Sequence, residues 1–337
     1  MAERLSQIQN FLQQYQADSQ MQCTALSGDA SFRRYWRVQS GTQHWMLMDA
    51  PPVAADCQRF IAVAQALADA GLQVPKVLAA EPTAGLVLLE DLGDDLLQFS
   101  LTQDNMPHWY RQALALLVQQ QQVRQTAEGP LPEFDRAFVL RELQIFTDWF
   151  LPVHLQLPVD FATQALLDST FTLIADEVLA QPQAGMHRDF HSRNLMIRPD
   201  QSLAVIDFQD AVVGPVSYDA VSLLRDCYLR WPDSDVALLR DEFYQLLQQH
   251  GLLPADYTLV QFRRAFDWTG LQRHLKVCGI FARLYHRDHK AGYLADLPRV
   301  VGYVLDIAKQ YPELSAFSQW FEQVVLPRFA EVGTCGQ

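Results

Sequence analysis

Residues 187–210 read HRDFHSRNLMIRPDQSLAVIDFQD and interrupt a stretch of chain whose pattern is otherwise helical. A loop rich in charge and histidine runs straight into the apolar Leu195-Met196-Ile197, turns at Pro199-Asp200 and returns through Leu203 to Phe208. Two short apolar runs joined by such a turn predict a hairpin. A lone hairpin is marginal in water, so the surrounding chain must fold as a body that supports it and fixes the polar loop beside it.

The remainder divides at Leu92-Gly93. Before that break, residues 3–16 space Leu5, Ile8, Phe11, Leu12 and Tyr15 three or four apart, the pattern of an amphipathic helix. Runs at 23–26, 35–38 and 45–48 predict three antiparallel strands, 56–70 a helix stopped by Gly71, and 76–79 and 86–89 two further strands. After the break, 104–124, 135–156, 160–180 and everything beyond Asp219 read as helix around the hairpin. The expectation is an α+β fold: a small antiparallel-sheet domain at 1–92 and a mainly helical domain at 93–337. With 337 residues and 49% hydrophobic composition the chain can bury two cores.

Charge narrows the partners. A net charge of -13 disfavours nucleic acid, whose phosphates this surface would repel. The five cysteines, at 23, 57, 227, 278 and 335, show no CxxC pair and no zinc spacing, and read as reduced thiols. The N-terminal residues carry charge and glutamine in place of a long apolar run, so no signal peptide or membrane anchor is expected, nor an obligate protein partner, and the cytoplasm is the expected location.

The candidate chemistry lies in the loop and hairpin. Transfer of a phosphoryl group to a hydroxyl needs a carboxylate to orient the hydroxyl and take its proton, and oxygen donors to hold magnesium on the triphosphate. Asp189 supplies the first, and Asn194 and Asp207 the second. Five residues separate Asp189 from Asn194, which suits one loop, and thirteen separate Asn194 from Asp207, which suits a hairpin bringing both to one end. Taken singly, each has a blander reading as a turn carboxylate or loop-closing amide.

HRDFHSRN followed by IDFQDA resembles the aminoglycoside phosphotransferase and choline kinase group, over most of the chain. The resemblance implies the protein-kinase-like two-lobe fold, with ATP and magnesium as cofactors, the smaller lobe covering ATP and the helical lobe holding the acceptor. It implies a phosphate-covering turn in SGDASFRRYWRV, with Ser31, Arg33 and Arg34 as cofactor-binding residues; an ordinary hairpin turn is the other reading. It also implies an adenine-reading hinge at Glu90, Asp91 and Leu92 in LVLLEDLGDD. The third strand, WMLMDAPP, has Met46 and Met48 where such folds carry a lysine, and residues 56–70 contain no glutamate to pair with one. Arg33 or Arg34 could substitute for the lysine.

More narrowly, SFRRYWRV, MDAPP, IDFQDAVVGPVSYD, LLRDCYLRWP and LQRHLKVCGIFARL resemble the bacterial anomeric kinases of N-acetylmuramate and N-acetylglucosamine. That implies a small amino sugar as acceptor, phosphorylated at C1 to the α-1-phosphate in peptidoglycan recycling. Arg273, His274 and Lys276 would suit a lactyl carboxylate or else be solvated helix residues, and Arg230 and Trp231 would bracket a sugar ring or anchor a helix end. Asp219 could set its carboxylate on backbone NH groups or on the catalytic-loop arginine and is expected to play a structural role as helix cap, and residues 141–150, with Glu142 and Trp149, to fill core. The alternatives are a kinase of aminoglycosides or other small hydroxyl compounds, and a non-catalytic nucleotide-binding pseudokinase, which the missing lysine and glutamate would favour.

Overall fold

The computed structural model describes residues 2–15, 21–26, 33–50 and 57–332. Helix α1 (Ala2–Tyr15) buries Ile8, Phe11 and Leu12 against Val38, Trp45, Leu47, Leu86 and Leu88. The strands are β1 (Gln22–Leu26), β2 (Arg34–Ser40) and β3 (Gln43–Asp49), then, after α2 (Cys57–Asp69), β4 (Val77–Glu81) and β5 (Leu86–Glu90). They form one antiparallel sheet in the order β1-β2-β3-β5-β4. Gly41, at φ 59°, makes the tight β2–β3 turn at little steric cost.

Short α3 (Leu97–Ser100) leads to α4 (Met106–Gln120), the two-residue strands β6 (Gln125–Thr126) and β7 (Gly129–Pro130), α5 (Arg136–Ile145) and α6 (Phe161–Leu179). The single helix expected over 135–156 is α-helical only to Ile145, and continues as π-helical turns through Phe146–His154, where Pro152 removes one backbone donor. Asp135 and Asp160 cap α5 and α6 by accepting from the amides of Phe138 and Thr163. Strand β8 (Gln183–Met186) pairs antiparallel with β11 (Val212–Pro215), and between them lies the expected hairpin, β9 (Leu195–Ile197) and β10 (Leu203–Val205). The helices α7 (Tyr218–Leu224), α8 (Asp233–Gln249), α9 (Leu259–His286), α10 (Leu297–Ala308), α11 (Ser315–Trp320) and α12 (Leu326–Val332) follow. At 28 residues α9 is the longest, and it begins with a reciprocal capping box between Thr258 and Gln261.

The chain forms two compact units: Met1–Ser100 with Gln125–Pro130 and Arg193–Asp210, and Leu101–Arg124 with Leu131–Ser192 and Ala211–Gln337. In the first, the hairpin joins the sheet-bearing segment by backbone bonds, the Ile197 amide donating to the Asp95 carbonyl and the Val205 amide to the Gln73 carbonyl, each at 2.8 Å. Phe208 packs on Phe60 with ring centroids 5.0 Å apart. In the second, α9 runs through the core, burying Trp268, Leu271, Leu275 and Cys278 among Phe146, Phe150 and Ile174. Two glycines set close approaches. A methyl group on Gly185 would lie 2.1 Å from the Val123 carbonyl oxygen, and one on Gly279 would lie 2.3 Å from that of Ile145, where the α turns become π turns.

Candidate active site

The helical unit holds the loop 187–192. It leaves β8 at His187 and is pinned at both ends by carboxylates seven residues apart. The amides of His187 and Arg188 donate to the two oxygens of Asp219, at 2.7 and 2.9 Å. The amide and hydroxyl of Ser192 donate to Oδ2 of Asp226, at 3.1 and 2.6 Å, while Oδ1 accepts from the Tyr228 amide at 2.8 Å. Both carboxylates are almost wholly buried. The expectation that Asp219 caps its helix is therefore corrected: Ser217 holds the N-cap position, and the Asp219 side chain serves the loop. Burial pushes the Asp219 carboxyl up to about 6, although the two amide bonds and His187 pull the other way.

Between the pins the chain is held in an unfavourable shape. Arg188 has φ 80°, a conformation a non-glycine residue keeps only when its surroundings enforce it, at a cost of about 1–3 kcal/mol. Its guanidinium pairs with Glu142 of α5 at 3.0 Å and lies over the Phe138 ring. Glu142 also accepts from Lys276 Nζ at 2.8 Å and from Gln272 Nε2 at 3.1 Å, both on α9. Burial alone would raise the Glu142 pKa, but Lys276 and Arg188 outweigh it and hold the carboxyl below its ordinary range. Core filling, the role expected of Glu142, is thus replaced by an ionic one, while Trp149 does pack on the core.

Asp189 follows Arg188. Its half-buried carboxylate would by desolvation alone be raised, yet Lys276, Arg273, His191 and Arg188 together hold it well below the usual carboxylate range. It is an anion at neutral pH, with the charge a hydroxyl-orienting base requires.

The solvated reading of 273–276 is excluded by burial, since Arg273, His274 and Lys276 are respectively 2%, 0% and 5% exposed. His274 stacks on Tyr303 at 4.6 Å and its Nε2 lies 3.0 Å from the Arg225 carbonyl oxygen. Burial pushes it down to about 3, so it is neutral. Lys276 belongs to Glu142. Arg230 pairs with Asp306 at 2.9 Å and covers the Tyr303 ring, and the Trp231 indole donates to the Tyr110 hydroxyl at 2.9 Å. Arg230 and Trp231 both line a cavity of about 220 Å³ together with Arg225, Arg240, Tyr303 and Asp306.

The sheet-bearing unit holds the other predicted residues. Pairing of Leu195 with Val205 sets Asn194 beside the strand end, where its carbonyl accepts from the Ile206 amide at 3.0 Å. Asn194 Nδ2 lies 3.5 Å from Asp207 Oδ2, and Asp207, at φ 63°, accepts from Gln209 at 2.9 Å. An amide oxygen and a carboxylate are the hard donors magnesium takes when phosphate and water complete its shell, so this pair fits the ion. Tyr35 lies within Coulombic reach of both Arg33 and Asp207, and burial raises its hydroxyl to about 12.

Ser31 falls outside the described residues. Where a lysine would be expected, Met48 is buried and β3 ends in the fully buried Asp49, which gathers Arg4 at 2.7 Å and Arg34 at 2.8 Å. Arg34 is thus engaged within its own sheet. At the segment after β5, the Glu90 amide donates to the Lys76 carbonyl and its carboxylate meets Arg198 at 3.3 Å. Asp91 is held by Arg37, which also grips Asp94, and Leu92 follows half-buried past the strand end.

Asp226 and Glu142 were not singled out as site residues from sequence. The signal for the first was faint: an aspartate between Arg225 and Cys227, just past Leu223-Leu224, would be buried only if it bonds something. Glu142 carried no such mark, because its partners lie 46 and 134 residues away.

Comparison with known proteins points the same way. Residues 22–262 match the phosphotransferase enzyme family. The chain is 40% identical over 305 residues to the N-acetylmuramate/N-acetylglucosamine kinase of Pseudomonas aeruginosa, covering 90% of this chain and 88% of that one. It is 36% identical over 336 residues to the protein of the same name from Neisseria meningitidis, covering 98% and 99%. Among solved structures, the ADP-bound aminoglycoside phosphotransferase APH(2'')-Ib superimposes with a TM-score of 0.59 at 13% identity, over 89% of this chain and 98% of that one, a likeness of fold.

Proposed function

The chain belongs to the phosphotransferase enzyme family, and from that premise we propose that it transfers the terminal phosphoryl group of ATP to the anomeric C1 hydroxyl of N-acetylmuramate and N-acetylglucosamine. It is a kinase acting on a sugar hydroxyl, and its fold is one that binds nucleotides. The α-1-phosphate product suits a nucleotidyl transfer that returns the sugar to cell-wall precursor, in the cytoplasm. A non-catalytic binding module finds no support in a family and relatives named for phosphate transfer.

The observation that carries the reading is the loop itself, with a half-buried, ionised Asp189 between two backbone pins. In the proposed step the sugar hydroxyl donates to the Asp189 carboxylate, which aims an oxygen lone pair at phosphorus. As the new O–P bond forms, the bond to the ADP oxygen breaks, ADP keeps that electron pair, and the hydroxyl proton passes to Asp189 and then to solvent. A carboxylate held at low pKa is a weak base. That suffices, because the transition state is loose, the proton leaves late, and an anomeric hydroxyl is more acidic than an ordinary alcohol. Asn194 and Asp207 are the donors that would hold magnesium, which when bound spreads the negative charge of the phosphates. Arg33, within Coulombic reach of the same Tyr35 as Asp207, is the proposed substitute for the missing lysine, and Asp91 and Leu92 the backbone that meets adenine.

Purified protein with magnesium ATP should phosphorylate both amino sugars, and phosphorus NMR should place the phosphate on C1. Asp189→Ala should lower kcat at least ~10³-fold and chelation of magnesium should abolish turnover. Transfer to kanamycin alone would keep the mechanism and overturn the acceptor.

A further inference from the structure

Among the basic side chains of α9 at 273–276, two have their roles settled inside the unit: His274 is neutral, and Lys276 is bound to Glu142. Arg273 is different. It is 2% exposed, its Nε is sealed from water without a hydrogen-bond partner, and among the described residues no carboxylate hydrogen-bonds its guanidinium. What surrounds it is Coulombic: Asp189 and Asp226 attract it across a distance, while Cys227 and Tyr218, their protons held by burial, are neutral neighbours, the Tyr218 ring centroid lying 6.0 Å away. Asp226 already accepts from Ser192 and Tyr228, and Asp189 is the proposed base.

Burial disfavours the charged guanidinium and the nearby carboxylates more than offset it, but they act at a distance, so its buried Nε keeps a donor without an acceptor, and such a donor is explained where the acceptor arrives from outside. The two sugars named for the relatives share the ring, the acetamido group and the anomeric hydroxyl. They differ by a lactyl ether on O3, and that ether carries a carboxylate. O3 stands two ring carbons from the anomeric carbon, so a cation within Coulombic range of the base is within reach of that carboxylate when C1 is presented to Asp189.

We propose that Arg273 receives the lactyl carboxylate of N-acetylmuramate and sets the preference for the acidic over the neutral amino sugar. The proposal rests on the acceptor reading above. It makes Arg273 a specificity determinant: a planar fork of donors suited to a carboxylate, fixed in place by its own burial. Specificity here is a ratio, because the same charge also helps keep Asp189 ionised and its loss lowers turnover with either sugar.

The test compares kcat/KM for N-acetylmuramate, its methyl ester and N-acetylglucosamine in the wild type, Arg273→Ala and Arg273→Lys. With the wild type, esterification should lower kcat/KM at least ~30-fold, the size expected for losing one buried charge-assisted pair. Arg273→Ala should lower the acid-to-neutral ratio by a similar factor and be indifferent to the ester. Arg273→Lys, keeping charge without the fork, should restore turnover of N-acetylglucosamine more fully than the ratio. The proposal is overturned if the wild type uses ester and acid alike, a result that needs no variant to fold, or if Arg273→Ala lowers both sugars equally. If the wild type phosphorylates neither sugar, the acceptor reading fails and this proposal with it.

Discussion

Asp49 at the end of β3 and Glu142 on α5 are built alike, each a buried carboxylate gathering two cations, and they differ in where those cations stand. Arg4 and Arg188 are alike half-buried, their side chains 22% and 19% exposed, but the second cation on Asp49, Arg34, stands at the surface at 55% and the second on Glu142, Lys276, stands inside at 6%. Water can replace a surface arginine and salt screens it, but nothing replaces a partner inside. The same three charges therefore make a sheet-edge fastening in one unit and, in the other, a support for a loop residue with positive φ.

The sharpest way to break this comparison is Glu142→Ala, which strands two cations in the interior. We expect a loss of about 3–5 kcal/mol in chemical denaturation, with a fall in kcat as Arg188 is released. Gly279→Ala comes next. Its methyl group would meet backbone at 2.3 Å, and a cost of about 1–3 kcal/mol should appear as a lower Tm.

The pH response sharpens the same contrast, because Glu142 and Asp219 are shifted in opposite directions. Asp219, raised to about 6, takes up its proton as pH falls through 6, leaving a poorer acceptor for the two loop amides, so kcat should decline on that limb. In stability the sign is reversed. A carboxyl raised in the folded state contributes stability that is complete below its unfolded value, about 4, and lost as pH rises through 6. Glu142, lowered, contributes stability present above its unfolded value, about 4.3, and lost only as pH falls through its lower folded value. Activity measured from pH 8 to 5 should thus fall while these two groups cause no loss of stability. Parallel loss of both would refute the assignment to Asp219. The smallest effect is Arg34→Ala: Arg4 remains on Asp49, so the cost should stay below about 1 kcal/mol and shrink in high salt.

What could be read from the chain follows how far interactions reach along it. Strands β1 to β5, helices α1 and α2 and the β9–β10 hairpin were legible because each is encoded in a run of neighbouring residues with turn signals at its ends. Asn194 and Asp207 were legible as neighbours because thirteen residues of hairpin separate them, and Asp189 as a loop carboxylate because it stands five residues before Asn194. The β8–β11 ladder was not, since four-residue strands containing glycine carry little pattern. Nor was the switch from α to π at Phe146, because the helical spacing of apolar residues runs through it and only Pro152, six residues on, marks the stretch. The sorting of Arg273, His274 and Lys276 into three different roles depended on Glu142, Tyr303 and Asp189, all distant in sequence, and adjacent letters on a helix point to different faces.

Gly279 stands six residues, about 9 Å of helix, beyond Arg273. Because α9 rests with bare backbone on the end of α5, that contact works as a datum from which the height of every side chain farther up the rod is measured. Enlarging the residue would displace Lys276 and Arg273 together, relative to a loop pinned from Asp219 and Asp226. A hydrogen atom in place of a methyl group, remote from any reacting atom, thus calibrates where the positive charge of this unit stands, and drift in acceptor preference among relatives should be sought there as well as at the arginine itself.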